Sequence, residues 1–121
     1  MTLAAASEGF PRLYRVRKRR EYLAIQNEGR RLNGTFYMVF VRPGQAPDAS
    51  PRFGVTVSRK VGGAVQRNKV KRWVRESCRR MKHEVPAGLD LVVVARPSAA
   101  GAGYEPTVRE LATLARRLRG K

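Results

Sequence analysis

The 121-residue sequence is poor in the residues that build metal centres and disulfides. It contains one cysteine, Cys78, and one histidine, His83. A lone cysteine cannot form an internal disulfide, and one cysteine with one histidine does not make up a zinc ligand set. The composition therefore predicts no metal site in the protein.

Long hydrophobic runs are also missing. No stretch approaches the ~20 apolar residues that a membrane helix requires, and the segment MTLAAASEGF lacks the basic start and apolar core of a signal peptide. We therefore expect a cytoplasmic protein with no membrane partner. The length fits a single folded domain over residues 12–121, preceded by a flexible N-terminal arm over residues 1–11.

Acidic residues are scarce, and this points to a class of partner. Nine Asp and Glu residues stand against 26 Lys and Arg residues, so the net charge is +17. Self-repulsion of that size indicates a polyanionic partner, and nucleic acid is favoured over an anionic membrane surface. The few carboxylates are scattered, without a metal-binding cluster or a histidine beside a partner base. The sequence therefore predicts no catalytic residue in the protein.

Hydrophobic periodicity predicts a mixed α+β fold. Helices are expected over residues 18–28, 66–82 and 107–118, and strands over residues 35–42, 53–58 and 89–97. The Pro-rich segment 43–51 is predicted to be a surface loop that joins two antiparallel strands. Thr107 and Glu110 have the spacing of a capping box. These elements favour a two-layer α/β sandwich.

The helix predicted over residues 66–82 has two chemically distinct faces. One face is apolar and consists of Val70, Trp73, Val74, Cys78 and Met81. A different, contiguous face is basic or polar and consists of Arg67, Asn68, Lys71, Arg72, Arg75, Arg79 and Lys82. We expect the apolar face to dock on the sheet, which places Cys78 in the core, and the basic face to meet phosphates. Membrane binding is disfavoured, because the apolar side is needed for docking.

The segment 58–76, SRKVGGAVQRNKVKRWVRE, resembles the signature of the bacterial ribonuclease P protein family. The family pattern is S-[KR]-K-x-G-x-A-V-x-R-N-[RK]-x-[KR]-R-x-x-R-[EQ], and the match runs almost without interruption. The flanking helices and strands follow the order of the family, so the resemblance spans about residues 12–118. It implies a left-handed βαβ crossover through the basic helix, which periodicity alone does not predict.

The resemblance implies a function in tRNA maturation. The family is the protein subunit of ribonuclease P, which removes the 5′ leader of precursor tRNA by endonucleolytic cleavage and generates the mature tRNA 5′ end. Catalysis there belongs to the RNA subunit, with Mg²⁺ bound mainly by RNA, so a missing protein active site is expected. The implied partners are the catalytic RNA subunit and precursor tRNA, with a monomeric protein in the ribonucleoprotein.

Carried over by position, the resemblance implies two RNA-binding surfaces. Contact with the catalytic RNA falls on Arg67, Asn68, Lys69, Lys71, Arg72 and Arg75. A cleft for the single-stranded leader, between the first helix and the sheet, falls on Tyr22, Phe36, Tyr37, Val39, Arg59 and Lys60. Aromatic rings suit such a cleft because base stacking tolerates any sequence, although the same rings could serve the core. The chain departs from the common family pattern at Gln26, Val39, Gly63 and Lys69.

Two other classes of protein remain open at this point. A ribosomal or general RNA-binding protein would carry the same charge without a preference for a 5′ leader. A protein-only nuclease would cleave RNA without an added RNA subunit.

Overall fold

The computed structural model describes residues 19–44 and 50–119. In chain order, the main elements are α1 (Arg19–Glu28), β1 (Arg30–Asn33), β2 (Tyr37–Pro43), β3 (Arg52–Thr56), α2 (Ala64–Met81), β4 (Leu89–Ala95) and α3 (Tyr104–Arg119). Short 3-10 turns precede α2 at Arg59–Val61 and α3 at Pro97–Gly101. The mixed α+β class is confirmed, and the three helices and three strands expected are present. The arm predicted over residues 1–11 lies outside the described residues.

Strand β4 is the centre of the sheet. Within the described residues the strand order is β1-β2-β4-β3, with β4 antiparallel to β2 and parallel to β3. Strands β2 and β3 run in opposite directions, as predicted, but they are not neighbours because β4 lies between them. The parallel pair β3 and β4 is joined through α2, which makes a β-α-β unit. The left-handed sense of this crossover stays a prediction.

Strand β1 was not predicted from the sequence. Its four residues, RRLN, include a single apolar side chain, Leu32, so they carry no clear alternation. The strand exists because it pairs with β2 in antiparallel register, from Arg30 opposite Val41 to Asn33 opposite Met38. Position in the sheet therefore outweighs local propensity here.

The helices cover the two faces of the sheet unequally. Helices α2 and α3 pack on one face, here called the core face, where all four strands contribute buried side chains. Helix α1 packs on the opposite face, the α1 face, where Ile25 and Val92 are buried and Tyr22, Phe40 and Val94 are partly buried. The alternation predicted for β2 is confirmed, since successive strand side chains point to opposite faces. The predicted α/β sandwich corresponds to the sheet with α2 and α3, and α1 adds a short helix behind it.

The capping box predicted for the last helix is wrong. Helix α3 begins at Tyr104, so Thr107 lies inside the helix, where its hydroxyl donates to the Gly103 carbonyl at 2.8 Å. The Glu110 carboxylate instead accepts the backbone N–H groups of Thr35, Phe36 and Tyr37 at 2.9, 2.8 and 2.7 Å. These contacts, here called the Glu110 clamp, tie α3 to the β1–β2 turn.

Candidate nucleic-acid interface

The apolar side of α2 docks on the sheet as predicted. Val70, Val74 and Cys78 are fully buried. Trp73 is partly buried and packs against the same cluster. Burial raises the pKa of the Cys78 thiol to about 12. The thiol is therefore neutral at physiological pH, which removes the thiolate that a nucleophile requires.

The opposite side of α2 is open to solvent and rich in cations. Asn68, Lys69, Arg72 and Arg75 are exposed, whereas Arg67 and Lys71 are half-buried. Glu76, the one acid of α2, forms an ion pair with Arg79 at 2.6 Å. Within the described residues no ion pair involves the cations predicted to contact RNA. The described part of the chain therefore leaves these positive charges without an acidic partner.

The turn that leads into α2 depends on one glycine more than on the other. Gly62 has a φ of 152°, in the region that favours glycine, whereas Gly63 has an extended backbone and open space where a side chain would be. Gly63 is the N-cap of α2 and supplies no side-chain cap. Arg59 and Lys60 are exposed just before the helix, so the turn presents them beside its N-terminus.

A cleft of about 540 Å³ opens beside α1 at β3, which is one of the two edge strands of the described sheet. We call it the α1 cleft, and its lining residues are Arg19, Tyr22, Leu23, Gln26, Val55, Thr56, Val57 and Lys71. The Tyr22 ring lies directly over Gly54, where a Cβ would come within 2.7 Å of it, and its hydroxyl accepts the Val55 N–H at 3.3 Å. The cleft therefore combines an aromatic ring held in place with two cationic side chains.

The structure brings Lys71 to the α1 cleft, although the sequence assigns that residue to the other RNA surface. Lys71 belongs to α2 and lines the cleft together with Tyr22 of α1. The basic side of α2 and the α1 cleft are therefore one continuous surface. Sequence reasoning missed Arg19 and Leu23 in this cleft, and no motif marks them; Leu23 is 44% exposed, which only the structure reveals.

Three residues assigned to the leader cleft lie elsewhere. Tyr37 and Val39 are 0% and 2% exposed and belong to the core face. The Tyr37 hydroxyl hydrogen-bonds the Thr107 hydroxyl at 2.7 Å, and burial raises the pKa of Tyr37. Phe36 lies near α3 and also packs against the core face. Strand alternation explains the difference, since the β2 side chain that joins Tyr22 in the cluster of the α1 face is Phe40, which points to the opposite face from Tyr37 and Val39.

The second cleft lies at the β1–β2 turn, against α3. It has a volume of about 490 Å³, and we call it the α3 groove. Its lining residues are Asn33, Gly34, Thr35, Phe36, Pro106, Arg109, Glu110, Thr113, Leu114 and Arg117. No motif in the sequence marks this groove, because it is assembled from two segments far apart in the chain.

Several carboxylates are engaged in structural contacts. Asp90 is buried and accepts two hydrogen bonds from Arg52, at 3.0 and 2.9 Å, and the larger part of the raised pKa of the Arg52 guanidinium comes from this pairing. Glu28 pairs with Arg42 at 2.8 Å. In the described part of the chain, no group of three or more His, Cys, Asp or Glu side chains could hold a metal ion, and no helix is long and apolar enough to cross a membrane.

Comparison with known proteins identifies related sequences over most of the chain. Residues 10–119 match the model of the family described as Ribonuclease P. The ribonuclease P protein component of Desulfovibrio desulfuricans is 43% identical over 110 residues, which cover 89% of this chain and 85% of the relative. The ribonuclease P protein component of Thermotoga maritima is 46% identical over 90 residues, which cover 74% of this chain and 75% of the relative.

Solved structures show the same fold. The RNase P protein from Thermotoga maritima in complex with 1-(4-fluorophenyl)-2-thiourea aligns with a TM-score of 0.77 and 36% identity, over 85% of this chain and 98% of that chain. A Staphylococcus aureus RNase P protein mutant with defective mRNA degradation activity aligns with a TM-score of 0.82 and 26% identity, over 97% and 95% of the two chains.

Proposed function

The chain belongs to the ribonuclease P protein family, and on that premise we propose that it binds both the catalytic RNA subunit and the 5′ leader of precursor tRNA. A role in tRNA processing as the protein component of ribonuclease P follows from the family. The proposal concerns how the protein serves that role: binding to RNA promotes endonucleolytic removal of the leader, which leaves the mature tRNA 5′ end.

One observation carries the proposal. The cations of α2 and the aromatic α1 cleft form one surface, joined by Lys71. A general RNA-binding protein would need only cations, because contacts with backbone phosphates do not depend on the RNA sequence. A cleft with an aromatic ring beside those cations suits an unpaired strand, whose bases are free to stack.

The basic side of α2 is the proposed contact with the catalytic RNA. Its 18 residues span about 27 Å along the helix axis, which is enough to reach several phosphates. The contacts are assigned to Arg67, Asn68, Lys69, Lys71, Arg72 and Arg75. Asn68, Lys69, Arg72 and Arg75 are exposed, so their side chains are free to reach phosphate oxygens. Neutralising phosphates releases counterions and reduces repulsion between RNA segments.

The α1 cleft is the proposed site of the leader. Tyr22 offers a face on which a base can stack, and Arg19 and Lys71 are placed to bind the flanking phosphates. Arg59 and Lys60 extend the positive surface beyond the cleft. Tyr37 and Val39 lie behind the sheet and act through the core, and Phe36 is not part of this cleft. Stacking accepts any base, as a protein that serves many precursors requires.

Bond cleavage is assigned to the RNA subunit, with Mg²⁺ bound mainly by RNA. The protein contributes affinity and positioning, as one monomer in a cytoplasmic ribonucleoprotein. Asp90 is buried and already engaged with Arg52, and Glu110 is half-buried and already engaged with backbone N–H groups. This arrangement supports a binding role for the protein.

The test is cleavage of 5′-labelled precursor tRNA at low Mg²⁺ by the protein alone, by a bacterial ribonuclease P RNA alone, and by both together. Cleavage at the mature 5′ end by the combination supports the proposal. If the protein adds nothing to the RNA, it is a general RNA-binding protein. If it cleaves alone, a protein-only nuclease is indicated.

The basic side of α2 can be tested with matched pairs of exposed arginines. The double variant Arg72→Ala/Arg75→Ala should weaken binding to the RNA subunit about tenfold and lower the log-log salt slope by roughly 0.7 to 0.9 per lost phosphate contact. The control Arg30→Ala/Arg31→Ala removes the same charge from the exposed positions of β1. Equal losses in the two double variants would show that net charge matters and that α2 does not.

A further inference from the structure

The α3 groove is separated from both surfaces proposed above. The α1 cleft opens at β3, at one edge of the sheet, whereas the α3 groove lies at the β1–β2 turn, near the other edge. None of its lining residues belongs to α1 or α2. Whatever binds there would meet the protein independently of the basic side of α2.

The charge of the groove favours an anion. Arg109 and Arg117 are exposed at its rim, about 12 Å apart along the axis of α3. Neither forms an ion pair with another described residue. The one acid in the lining is Glu110, and its carboxylate is turned toward the three backbone N–H groups of the Glu110 clamp. Both carboxylate oxygens are thereby engaged as hydrogen-bond acceptors, and the two arginines with the one carboxylate leave the lining with a net positive charge.

The floor of the groove is apolar and includes an aromatic ring. Phe36 and Pro106 are half-buried and Leu114 is buried, so these side chains form the floor rather than a raised apolar patch. Asn33, Thr35 and Thr113 add exposed polar side chains at the sides. A volume of about 490 Å³ falls in the range of small-molecule sites and has room for a single nucleotide.

We propose that the α3 groove binds one nucleotide of a single-stranded RNA segment, with the base against Phe36 and the phosphates on Arg109 and Arg117. A second copy of this chain is disfavoured as the occupant, because two molecules of charge +17 repel each other. A membrane surface would require the apolar side chains to protrude, and here they form the floor. The inference needs RNA as a partner but neither of the contacts proposed for α2 and the α1 cleft.

Nuclear magnetic resonance can locate the site directly. The labelled full-length protein is titrated with uridine 5′-monophosphate and with a five-nucleotide oligouridylate. Saturable shifts are expected at the amides of Thr35, Phe36, Thr113 and Arg117. Shifts confined to α2 and the α1 cleft would overturn the proposal.

Two neighbouring arginines supply a matched pair of variants. Arg117 lines the groove and Arg116 does not, although both are exposed on α3. Arg117→Glu should weaken oligouridylate binding at the groove amides about fivefold, whereas Arg116→Glu, with the same change of net charge, should weaken it less than about twofold. Equal effects would overturn the assignment to the groove.

A variant that fills the groove without changing charge serves as a second check. Thr113→Trp occupies the groove from an exposed position, so the urea midpoint should stay near that of the wild type. The shifts at Thr35 and Phe36 on titration should be lost. Retained shifts in a folded Thr113→Trp protein would count against the proposal.

The source of the RNA is found by crosslinking in the assembled ribonucleoprotein. A benzophenone amino acid at position 113 should crosslink either to the RNA subunit or to the precursor tRNA, and the labelled strand identifies which. No crosslink to either RNA would overturn the proposal. A different result would reject the function proposed for α2 and the α1 cleft: no RNA-dependent cleavage, with the NMR shifts at the groove amides still present. The two proposals can therefore fail separately.

Discussion

The two faces of the sheet differ in how much apolar surface the helices bury against them. The core face is covered by α2 and α3, which are 18 and 16 residues long. Side chains from all four strands are buried there. On the α1 face, a helix of 10 residues forms a smaller hydrophobic cluster, in which Ile25 and Val92 are buried and Tyr22 is half-buried, and the neighbouring Leu23 is exposed. Apolar burial is the main source of folding free energy. The core face therefore supplies most of the apolar burial, and the described residues cover the aromatic side chains of the α1 face only in part.

The largest difference between the faces should appear in thiol reactivity. Burial raises the pKa of Cys78 from 9.0 to about 12, so its native reaction with Ellman's reagent at pH 8 should be about 1000-fold slower than in urea. In the variant Cys78→Ala/Leu23→Cys, the thiol lies on α1 at an exposed position and should react at nearly the unfolded rate. Similar rates for the two native thiols would contradict a dry core face.

The same shift has a consequence for stability at high pH. The folded protein holds the Cys78 proton more tightly than the unfolded chain does. The contribution of the protonated Cys78 thiol to the free energy of unfolding is therefore fully present below pH 9.0 and is lost as the pH rises toward about 12.

Removing one aromatic side chain from the core face should have the next largest effect. Phe53 is almost fully buried, so Phe53→Ala should lower the free energy of unfolding by about 3 to 5 kcal/mol. Leu23→Ala removes an exposed side chain of the α1 face and should change it by less than about 0.5 kcal/mol. Urea unfolding followed by circular dichroism measures both, and comparable losses would show that α1 also carries the core.

Loss of the Glu110 clamp should lower the free energy of unfolding somewhat less than Phe53→Ala does. Glu110→Ala leaves three backbone N–H groups without their acceptor and should lower the free energy of unfolding by about 2 to 3 kcal/mol. Glu105→Ala removes an exposed acid from the first turn of α3 and should cost about 0.3 to 1 kcal/mol. A loss no greater than that of Glu105→Ala would mean that water replaces the carboxylate.

Two tyrosines on opposite faces test whether binding and stability separate. Tyr22→Leu should reduce the preference of the ribonucleoprotein for precursor over mature tRNA by at least about fivefold, since stacking on a base contributes about 1 to 3 kcal/mol. Tyr37→Phe loses the hydrogen bond to Thr107 and should lower stability by about 1 kcal/mol without changing that preference. The comparison fails if Tyr37→Phe changes the ratio of the two dissociation constants.

The smallest effect is expected at the entry to α2, outside both faces. Gly63 is an N-cap with open space around its Cα, so Gly63→Asn should add a capping hydrogen bond and raise stability by a few tenths of a kcal/mol. The neighbouring Gly62→Asn should be destabilising, because the φ of 152° is unfavourable for any residue with a Cβ. Thermal unfolding measures the change in stability of each variant. A change in the same direction for both variants would contradict the prediction.

Much of the fold was accessible from the sequence because its signals are local. Apolar residues recur at the helical spacing along α2, and β2 and β4 are rich in apolar and aromatic residues. Strand β1 was not accessible because RRLN contains a single apolar residue. The place of β4 between β2 and β3 was not accessible because its pairing partners come from distant parts of the chain. Thr107 and Glu110 had the spacing of a cap, but tertiary hydrogen bonds gave both side chains other partners.

The candidate site was predicted unevenly for the same reason. The cations of α2 follow from a motif and a helical period, so their exposure could be foreseen. The leader cleft required knowing which face of β2 is covered by α1, and alternation alone leaves that choice open. Tyr37 and Val39 accordingly belong to the opposite face from Tyr22, and Lys71 joins the cleft from α2.

The central position of β4 affects the order of events during synthesis. Strand β3 has its partner in β4, and β2 pairs with β4 along its whole length. While only residues up to Met81 have left the ribosome, β1 and β2 can form a hairpin, but β3 and the apolar side of α2 have no sheet to complete. Domains generally fold as units, so most of this highly basic chain is synthesised before its sheet can be completed.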